Sequence, residues 1–309
     1  SVTIIITLCA LLLLAYLFDF TSSKTRIPSV ILLLFLGWIM RQLTIWFGIQ
    51  IPDFSTVLRI LGTIGLILIV LEGSLELELN ISKFGLIRKT FIGALLSVVA
   101  LTFLLAFAFS YFGHFGFKDS LTNAIPFCVI SSAIAIPSVK HLSKHSKEFI
   151  IYESSFSDIM GILLFNFLRL NETIDAYSFG NFALKLLITV VASFIATIGL
   201  SFLLSKIEHH VKFVPIILLI ILIYTVSEIY HLPGLIFILL FGLSIGNLDE
   251  LKQLKWIEKF KPEELNKEVN KFRGLTSEGT FLVRALFFLL FGYLIETREV
   301  LNADTFVWA

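Results

Sequence analysis

Long apolar runs separated by short polar segments extend over the whole chain. Several of these runs reach about 20 residues, the length that crosses a bilayer as an α-helix. The ninth run is shorter and is entered through Pro233 and Gly234. By run length the pattern predicts ten membrane spans, at residues 2–20, 27–48, 57–77, 84–112, 120–140, 148–168, 181–204, 213–230, 232–247 and 274–296. We therefore expect an all-α polytopic membrane protein.

The composition agrees with a membrane protein. The 309 residues are 57% hydrophobic and carry a formal net charge of only +1, so no strong field points to nucleic acid and we expect no nucleic-acid partner. Cys9 and Cys128 both lie in apolar spans, which favours inert buried thiols over a disulfide. The first span lacks the basic start and the cleavage site of a signal peptide, so we interpret it as a true span.

Lysine and arginine alternate regularly between the predicted loops. The loops after odd-numbered spans hold most of these residues, and residues 249–273 alone hold seven. Because cytoplasmic loops carry the excess of lysine and arginine, we predict that the odd loops are cytoplasmic. The N-terminus then lies outside the cell inner (plasma) membrane. Residues 249–273 are predicted to form a cytoplasmic amphipathic connector, interrupted near Pro262.

The candidate chemistry lies in spans five and six. Span five carries Pro126 and Pro137 near its ends and Ser131 and Ser132 at its centre. Asp158 lies ten residues into span six, about 15 Å deep at the helical rise. Broken backbone survives in a membrane only where protein or a water-filled cavity satisfies it, and a carboxylate at this depth is a functional hypothesis by default. The pattern predicts a cation site at Asp158. The alternatives are a structural acid paired with an arginine, and serines that only tighten helix packing.

Four further residues join the candidate set. Ser154 lies one helical turn before Asp158 on the same face. Glu72 lies toward the cytoplasmic end of span three, where an interfacial acid is the alternative. Arg284 lies in the middle of span ten and needs a counter-charge. We predict that Glu153 supplies it, in a structural pair that fixes the positions of two helices.

One short motif resembles the nucleophile elbow of a hydrolase, but its surroundings do not fit such an enzyme. Residues 242–246 fit G-x-S-x-G, but a nucleophile elbow needs a strand-to-helix turn and a later histidine. No histidine follows His231, so we attribute the pattern to small-residue helix packing. The histidines of the basic loops lack a set of metal-binding partners. We expect neither a zinc site nor enzymatic activity.

Five motifs, in order, resemble those of bacterial monovalent cation:proton antiporters of the Na⁺/H⁺ exchanger superfamily. They are TRIPSVILLLFLGWIMRQL in the second span, LEGSLEL at 71–77, SSAIAIP at 131–137, ESSFSD at 153–158 and FFLLFG at 287–292. Two positions depart from the family pattern. Ser157 stands where the family usually has Asn or Asp, and Ala133 stands where many sodium exchangers have Asp, which leaves the ion selectivity open.

The resemblance implies a secondary active antiporter that exchanges Na⁺, or K⁺ or Li⁺, for H⁺ by alternating access. It implies that Asp158 binds the monovalent cation or the proton, with Ser154, Ser131, Ser132 and Glu72 as further site residues. One carboxylate exchanges one proton for one cation, so we expect electroneutral exchange. The alternative is an ion channel or a K⁺ efflux system of related architecture, although neither an arginine stripe nor a carbonyl filter is seen.

The resemblance also implies an inverted-repeat antiporter fold with an interrupted helix. We expect residues 1–309 to form one transmembrane transport domain that is incomplete at its C-terminus, since the family has further spans. The expected partners are the bilayer and a second copy in a homodimer, and no cofactor is expected.

Overall fold

The structure is a computed structural model that describes residues 2–25, 27–48, 54–77, 83–132, 134–135, 139, 142–172, 174–206, 213–230, 232, 234–247 and 262–296. Among these residues there are ten long or medium helices and no strand. The helices are α1 (Val2–Thr25), α2 (Ser29–Trp46), α3 (Ser55–Glu76), α4 (Phe84–Gly113), α5 (Phe117–Cys128), α6 (Lys144–Leu170), α7 (Ala176–Lys206), α8 (Phe213–Ile229), α9 (Gly234–Gly246) and α10 (Pro262–Leu294). Each helix falls on one predicted span, which confirms the all-α polytopic fold.

Length and hydropathy divide these helices into groups. Within the described residues, α2, α3, α4, α7 and α10 contain segments long and apolar enough to cross a membrane, and α1, α8 and α9 contain shorter apolar segments. α5 has only 12 residues. α6 is long, but its polar segment at residues 153–158 lowers its hydropathy. The two helices with the candidate chemistry are therefore those that depart from a simple apolar span.

Local sequence signals set several helix ends. α6 begins after Ser143, whose hydroxyl oxygen accepts a hydrogen bond from the Ser146 N–H at 3.3 Å. α7 begins after Asp175, which accepts from the Ser178 N–H at 2.8 Å. Both are side-chain N-caps, which satisfy donors that the first helical turn leaves open. α4 ends at His114, whose φ of 55° is the left-handed conformation that commonly stops a helix.

The chain divides into two compact units, residues 1–68 with 277–309 and residues 69–276. The boundaries fall inside α3 and α10, so each of these helices contributes to both units. The first unit has a small core in which α1, α2 and α10 meet. Its buried members are Ala15, Leu33, Ala285 and Leu289.

The second unit is built around α4. Its buried face is a stripe with one residue every four positions, formed by Thr90, Ala94, Val98, Thr102 and Ala106. Small residues at this spacing let neighbouring helices approach closely. α5 and α6 pack on α4, and α9 packs on α7 and α8. The core between α4, α5 and α6 consists of Ala106, Leu121, Ala124, Ile125, Phe167 and Leu168. This packing places the end of α5 beside the middle of α6.

Candidate cation site

The helix of span five is interrupted. α5 ends at Cys128, two residues after Pro126, and Val129 has the extended conformation with φ −84° and ψ 132°. Pro126 lies inside the last turn, where its missing N–H and the clash of its ring with the preceding turn weaken the helix. A helical turn resumes at Ser132, and the Ser131 carbonyl accepts the Ala135 N–H at 2.9 Å. The break therefore covers residues 129–131. Pro137 lies outside the described residues.

Asp158 of α6 binds the residue at which helical structure resumes. One carboxylate oxygen, Oδ2, accepts the Ser132 N–H at 3.1 Å and the Ser132 hydroxyl at 2.5 Å. Hydrogen bonds to an ionised acceptor are short and stronger than neutral ones. The N–H groups at the beginning of a helical turn also carry partial positive charge that favours a carboxylate. The structure thus brings together two of the predicted site residues.

Ser157 has a role that sequence reasoning missed. It is fully buried, and its hydroxyl oxygen accepts the Ile130 N–H at 3.0 Å. Ile130 lies in the break, where its N–H has no helical partner, and an unsatisfied donor inside a membrane is costly. Ser157 therefore stabilises the interruption. The signal in the sequence was the hydroxyl itself, since a serine can accept a hydrogen bond where the family usually has Asn or Asp.

A cavity of about 30 Å³ lies beside Asp158. A water needs roughly 10–15 Å³, so the cavity holds about two water-sized particles. Its polar lining consists of Ser74, Ser132, Ser155 and Asp158, and aliphatic side chains from the end of α3, from α6 and from the beginning of α9 form the rest. Asp158 is the single acid among the described residues of this lining. The arrangement can hold a small cation against one carboxylate and several hydroxyl oxygens.

Comparison with solved structures gives the fold a precedent. The chain is similar to the sodium proton antiporter MjNhaP1 from Methanocaldococcus jannaschii at pH 8, with a TM-score of 0.73 and 19% sequence identity, over 96% of this chain and 72% of that chain. An electron-microscopy structure of the same antiporter gives a TM-score of 0.69 and 19% identity, over 99% and 73% of the two chains. No curated protein matches the chain. Residues 9–309 match the family model described as "Sodium/hydrogen exchanger, transmembrane".

The chain belongs to the transmembrane sodium/hydrogen exchanger family. It is a membrane protein of a family that exchanges cations for protons, and the family is one of transporters, not of enzymes. The matched range includes all five motifs, among them SSAIAIP at 131–137 and ESSFSD at 153–158. The resemblance stated from five motifs is therefore confirmed at the level of the superfamily.

Three predicted site residues of the exchanger lie apart from the cavity lining. Ser154 is fully buried, and its hydroxyl donates to the Ile151 carbonyl at 3.3 Å. Its neighbour Ser155 lines the cavity instead. Ser131 provides the carbonyl that begins the helical turn, and Glu72 is half-buried in α3, one residue before the lining residue Gly73. Cation binding by Ser154, Ser131 and Glu72 stays a prediction.

Arg284 forms an ion pair within the first compact unit. The sequence favoured Glu153, whereas the structure places Arg284 Nη2 3.5 Å from Asp19 Oδ1 of α1. Asp19 also accepts the Ser29 hydroxyl at 3.0 Å. Asp19 and Arg284 both belong to the first compact unit and Glu153 belongs to the second, so the pairing of Arg284 with Glu153 stays a prediction. Sequence reasoning missed Asp19 as a partner for Arg284, although an acid at the end of the first apolar run is visible in the sequence.

The G-x-S-x-G pattern serves helix packing, as predicted. A Cβ atom on Gly242 would collide with the Ser74 side chain, and one on Gly246 would lie 2.7 Å from the Leu75 carbonyl oxygen. α9 therefore approaches the backbone of α3 at a distance that only glycine permits. The described residues contain no group of three His, Cys, Asp or Glu side chains that could hold a metal ion. Most of the predicted connector, residues 249–261, lies outside the described residues.

Proposed function

We propose that this exchanger carries one Na⁺ against one H⁺ at Asp158 by alternating access. The observation that carries the proposal is the pairing of the Asp158 carboxylate with the broken segment, through two hydrogen bonds from Ser132, beside a small cavity. A carboxylate in such a place is either ionised and bound to a cation or protonated and neutral. The two ligands compete for one group, so they cannot be carried together.

The oxygen-rich lining supports an alkali cation. Carboxylate, hydroxyl and carbonyl oxygens suit hard cations, whereas transition metals favour imidazole and thiolate ligands. Ser74 and Ser155 supply hydroxyl oxygens on the α3 and α6 sides of the cavity. Water in the cavity can complete the shell. The family description favours Na⁺ over K⁺ or Li⁺.

The charge count supports electroneutral exchange. Asp158 is the single acid of the described lining, and Ser157, which precedes it, cannot ionise. If one carboxylate exchanges one proton for one monovalent cation, the two loaded forms of the carrier have the same charge. The membrane potential, which contributes about 2.3 kcal/mol per charge per 100 mV, then drives neither half of the cycle.

We place the odd loops in the cytoplasm and the N-terminus outside the plasma membrane, and ion pairs between helix ends support the alternation of loops in this topology. Lys83, before α4, lies 3.3 Å from Glu148 near the beginning of α6. Arg169, near the end of α6, lies 3.9 Å from Glu228 near the end of α8. Each pair joins two ends that the basic-residue pattern assigns to one side of the membrane, odd loops in the first pair and even loops in the second.

The test uses the full-length protein in proteoliposomes with a pH-sensitive dye inside. A pulse of external NaCl should alkalinise the lumen in proportion to Na⁺ influx, because each Na⁺ that enters is exchanged for a proton that leaves, and LiCl and KCl pulses rank the cations. Asp158→Asn should abolish the signal. Asp175→Asn, which changes an exposed N-cap acid, is the matched control and should retain it. Sustained exchange by Asp158→Asn would refute the assignment of the carrier.

A second arm sets the membrane potential with a K⁺ gradient and valinomycin at fixed Na⁺ and proton gradients, after a KCl pulse has shown that K⁺ itself is not exchanged. The initial rate should stay constant as the potential is varied. A rate that follows the potential would show that net charge moves and would remove the one-carboxylate mechanism. Current without coupled proton flux would instead favour a channel.

A further inference from the structure

The end of α3 forms part of the cavity wall. Gly73, Ser74 and Leu77 line the cavity from this side, and Ser132 and Asp158 also belong to the lining. Ser74 is buried and its hydroxyl donates to the Leu71 carbonyl at 2.9 Å. The position of residues 73–77 therefore decides the width of the space beside the carboxylate.

This wall is also the C-terminus of a helix, and its last carbonyls have no helical partners. Side chains from elsewhere in the second unit supply the missing donors. Arg273 Nη2 donates to the Leu75 carbonyl at 2.6 Å. Asn247 Nδ2 donates to the Leu77 carbonyl and to the Leu243 carbonyl, both at 2.7 Å. Asn247 thus ties the end of α9 to the end of α3.

Arg273, Asn247 and the glycine face of α9 together form a clamp on the end of α3. The glycine face, Gly242 and Gly246, touches Ser74 and Leu75 without intervening side chains. Close packing on one side and two donors at the end leave the backbone of residues 74–77 little freedom. Arg273 holds this position although its Nε is buried without a hydrogen-bond partner among the described residues. A buried unsatisfied donor destabilises a fold, so stability alone is a poor account of an arginine here.

We infer that Arg273 and Asn247 are positioning residues that set the cation affinity of the exchanger by fixing the α3 wall of the Asp158 cavity. The inference rests on the proposed function. Cation binding in so small a cavity depends on the fixed distance between the carboxylate and the α3 wall. If the clamp is removed, the last turn of α3 becomes free to move away, and the cation loses the enclosed geometry. The turnover of a loaded carrier does not require the clamp.

The experiment measures initial rates of proton flux against NaCl concentration for full-length variants in proteoliposomes. Arg273→Gln and Asn247→Ala should each raise the apparent KM for Na⁺ about tenfold, the order expected for a lost hydrogen bond of this kind. The maximal rate per folded molecule should change less than twofold. Arg273→Lys, which keeps the charge and one donor, should restore part of the affinity.

Lys271→Gln provides the matched control. Lys271 lies two residues before Arg273 on the same helix, but it is exposed and its contact is Glu268 at 2.9 Å. Its loss should leave KM unchanged. If Arg273→Gln does not fold, Asn247→Ala decides the matter alone.

Two results would overturn the inference. One is an unchanged KM in the folded clamp variants; the other is a loss of maximal rate and folded fraction with KM intact, which marks a purely structural role. Failure of the wild-type protein to exchange Na⁺ for H⁺ would instead refute the proposed function, and the two failures are thereby distinguished.

Discussion

The ion pair between Arg284 and Asp19 makes a quantitative prediction. The N–O distance is 3.5 Å, and the two side chains are 15% and 30% exposed. At this distance Coulomb's law gives about 5 kcal/mol at an effective dielectric constant of 20 and about 1 kcal/mol in bulk water. Since both side chains are only partly exposed, and the Ser29 hydroxyl also stabilises Asp19, we expect a coupling energy of about 2 kcal/mol.

A double-mutant cycle measures this coupling. Arg284→Ala should lower the free energy of unfolding in mixed detergent micelles by about 3 kcal/mol, the lower end of the cost of stranding one buried charge. Asp19→Ala should have a similar effect. The double variant should lose less than the sum by about 2 kcal/mol, because neither charge is then left without its partner.

Two comparisons make the cycle specific. Arg169→Ala removes an arginine whose pair with Glu228 has a longer 3.9 Å contact and exposed side chains, so its effect should stay below about 1 kcal/mol. A parallel cycle of Arg284 with Glu153 tests the partner that the sequence favoured. Additive losses for Arg284 and Asp19, or a stronger coupling of Arg284 to Glu153, would refute the assignment made here.

Three further outcomes are expected. Ser132→Ala removes one of two donors to Asp158, a charge-assisted bond of about 1.5–3 kcal/mol, and should slow Na⁺/H⁺ exchange in proteoliposomes at least tenfold; unaltered exchange would contradict the site geometry. Gly246→Ala forces a Cβ against the α3 backbone and should lose about 1–3 kcal/mol of unfolding free energy, whereas Gly93→Ala, which meets open space, should lose none. A cysteine introduced within residues 249–273 should resist an impermeant maleimide added to intact cells, and rapid labelling from outside would reverse the topology.

The span count was predictable because the length of an apolar run is a local property. α4, for example, covers Phe84–Gly113, and the sequence predicts a span over 84–112. The interruption of span five was also predictable, since proline removes a donor wherever it stands. Its location at residues 129–131 was not, because it depends on which neighbouring side chains satisfy the open backbone groups.

The pairings between distant spans could not be predicted from spacing. Arg284 needed an acid, but the sequence offers no measure of which helix lies beside α10, and the structure supplies Asp19 of α1, which the sequence reasoning had not considered. The same holds for Arg273, the last residue of the predicted polar connector, and for Asn247, the last residue of predicted span nine. Both bind carbonyls at the end of α3. Ser157 was noticed only as a departure from a pattern, and its contact with Ile130 required the three-dimensional arrangement.

The interruption of α5 has a thermodynamic consequence. Two side chains of α6 provide acceptors that a continuous helix would have found within itself, Ser157 for the Ile130 N–H and Asp158 for the Ser132 N–H. The state of the carboxylate and the conformation of residues 130–132 are thus linked, and linkage is reciprocal. A ligand on Asp158 that weakens these hydrogen bonds changes the free energy of the segment's conformation. A rearrangement of the segment changes the binding free energy of that ligand by the same amount. No separate group is then needed to report whether Asp158 is occupied, because its occupancy and the conformation of residues 130–132 belong to one coupled equilibrium.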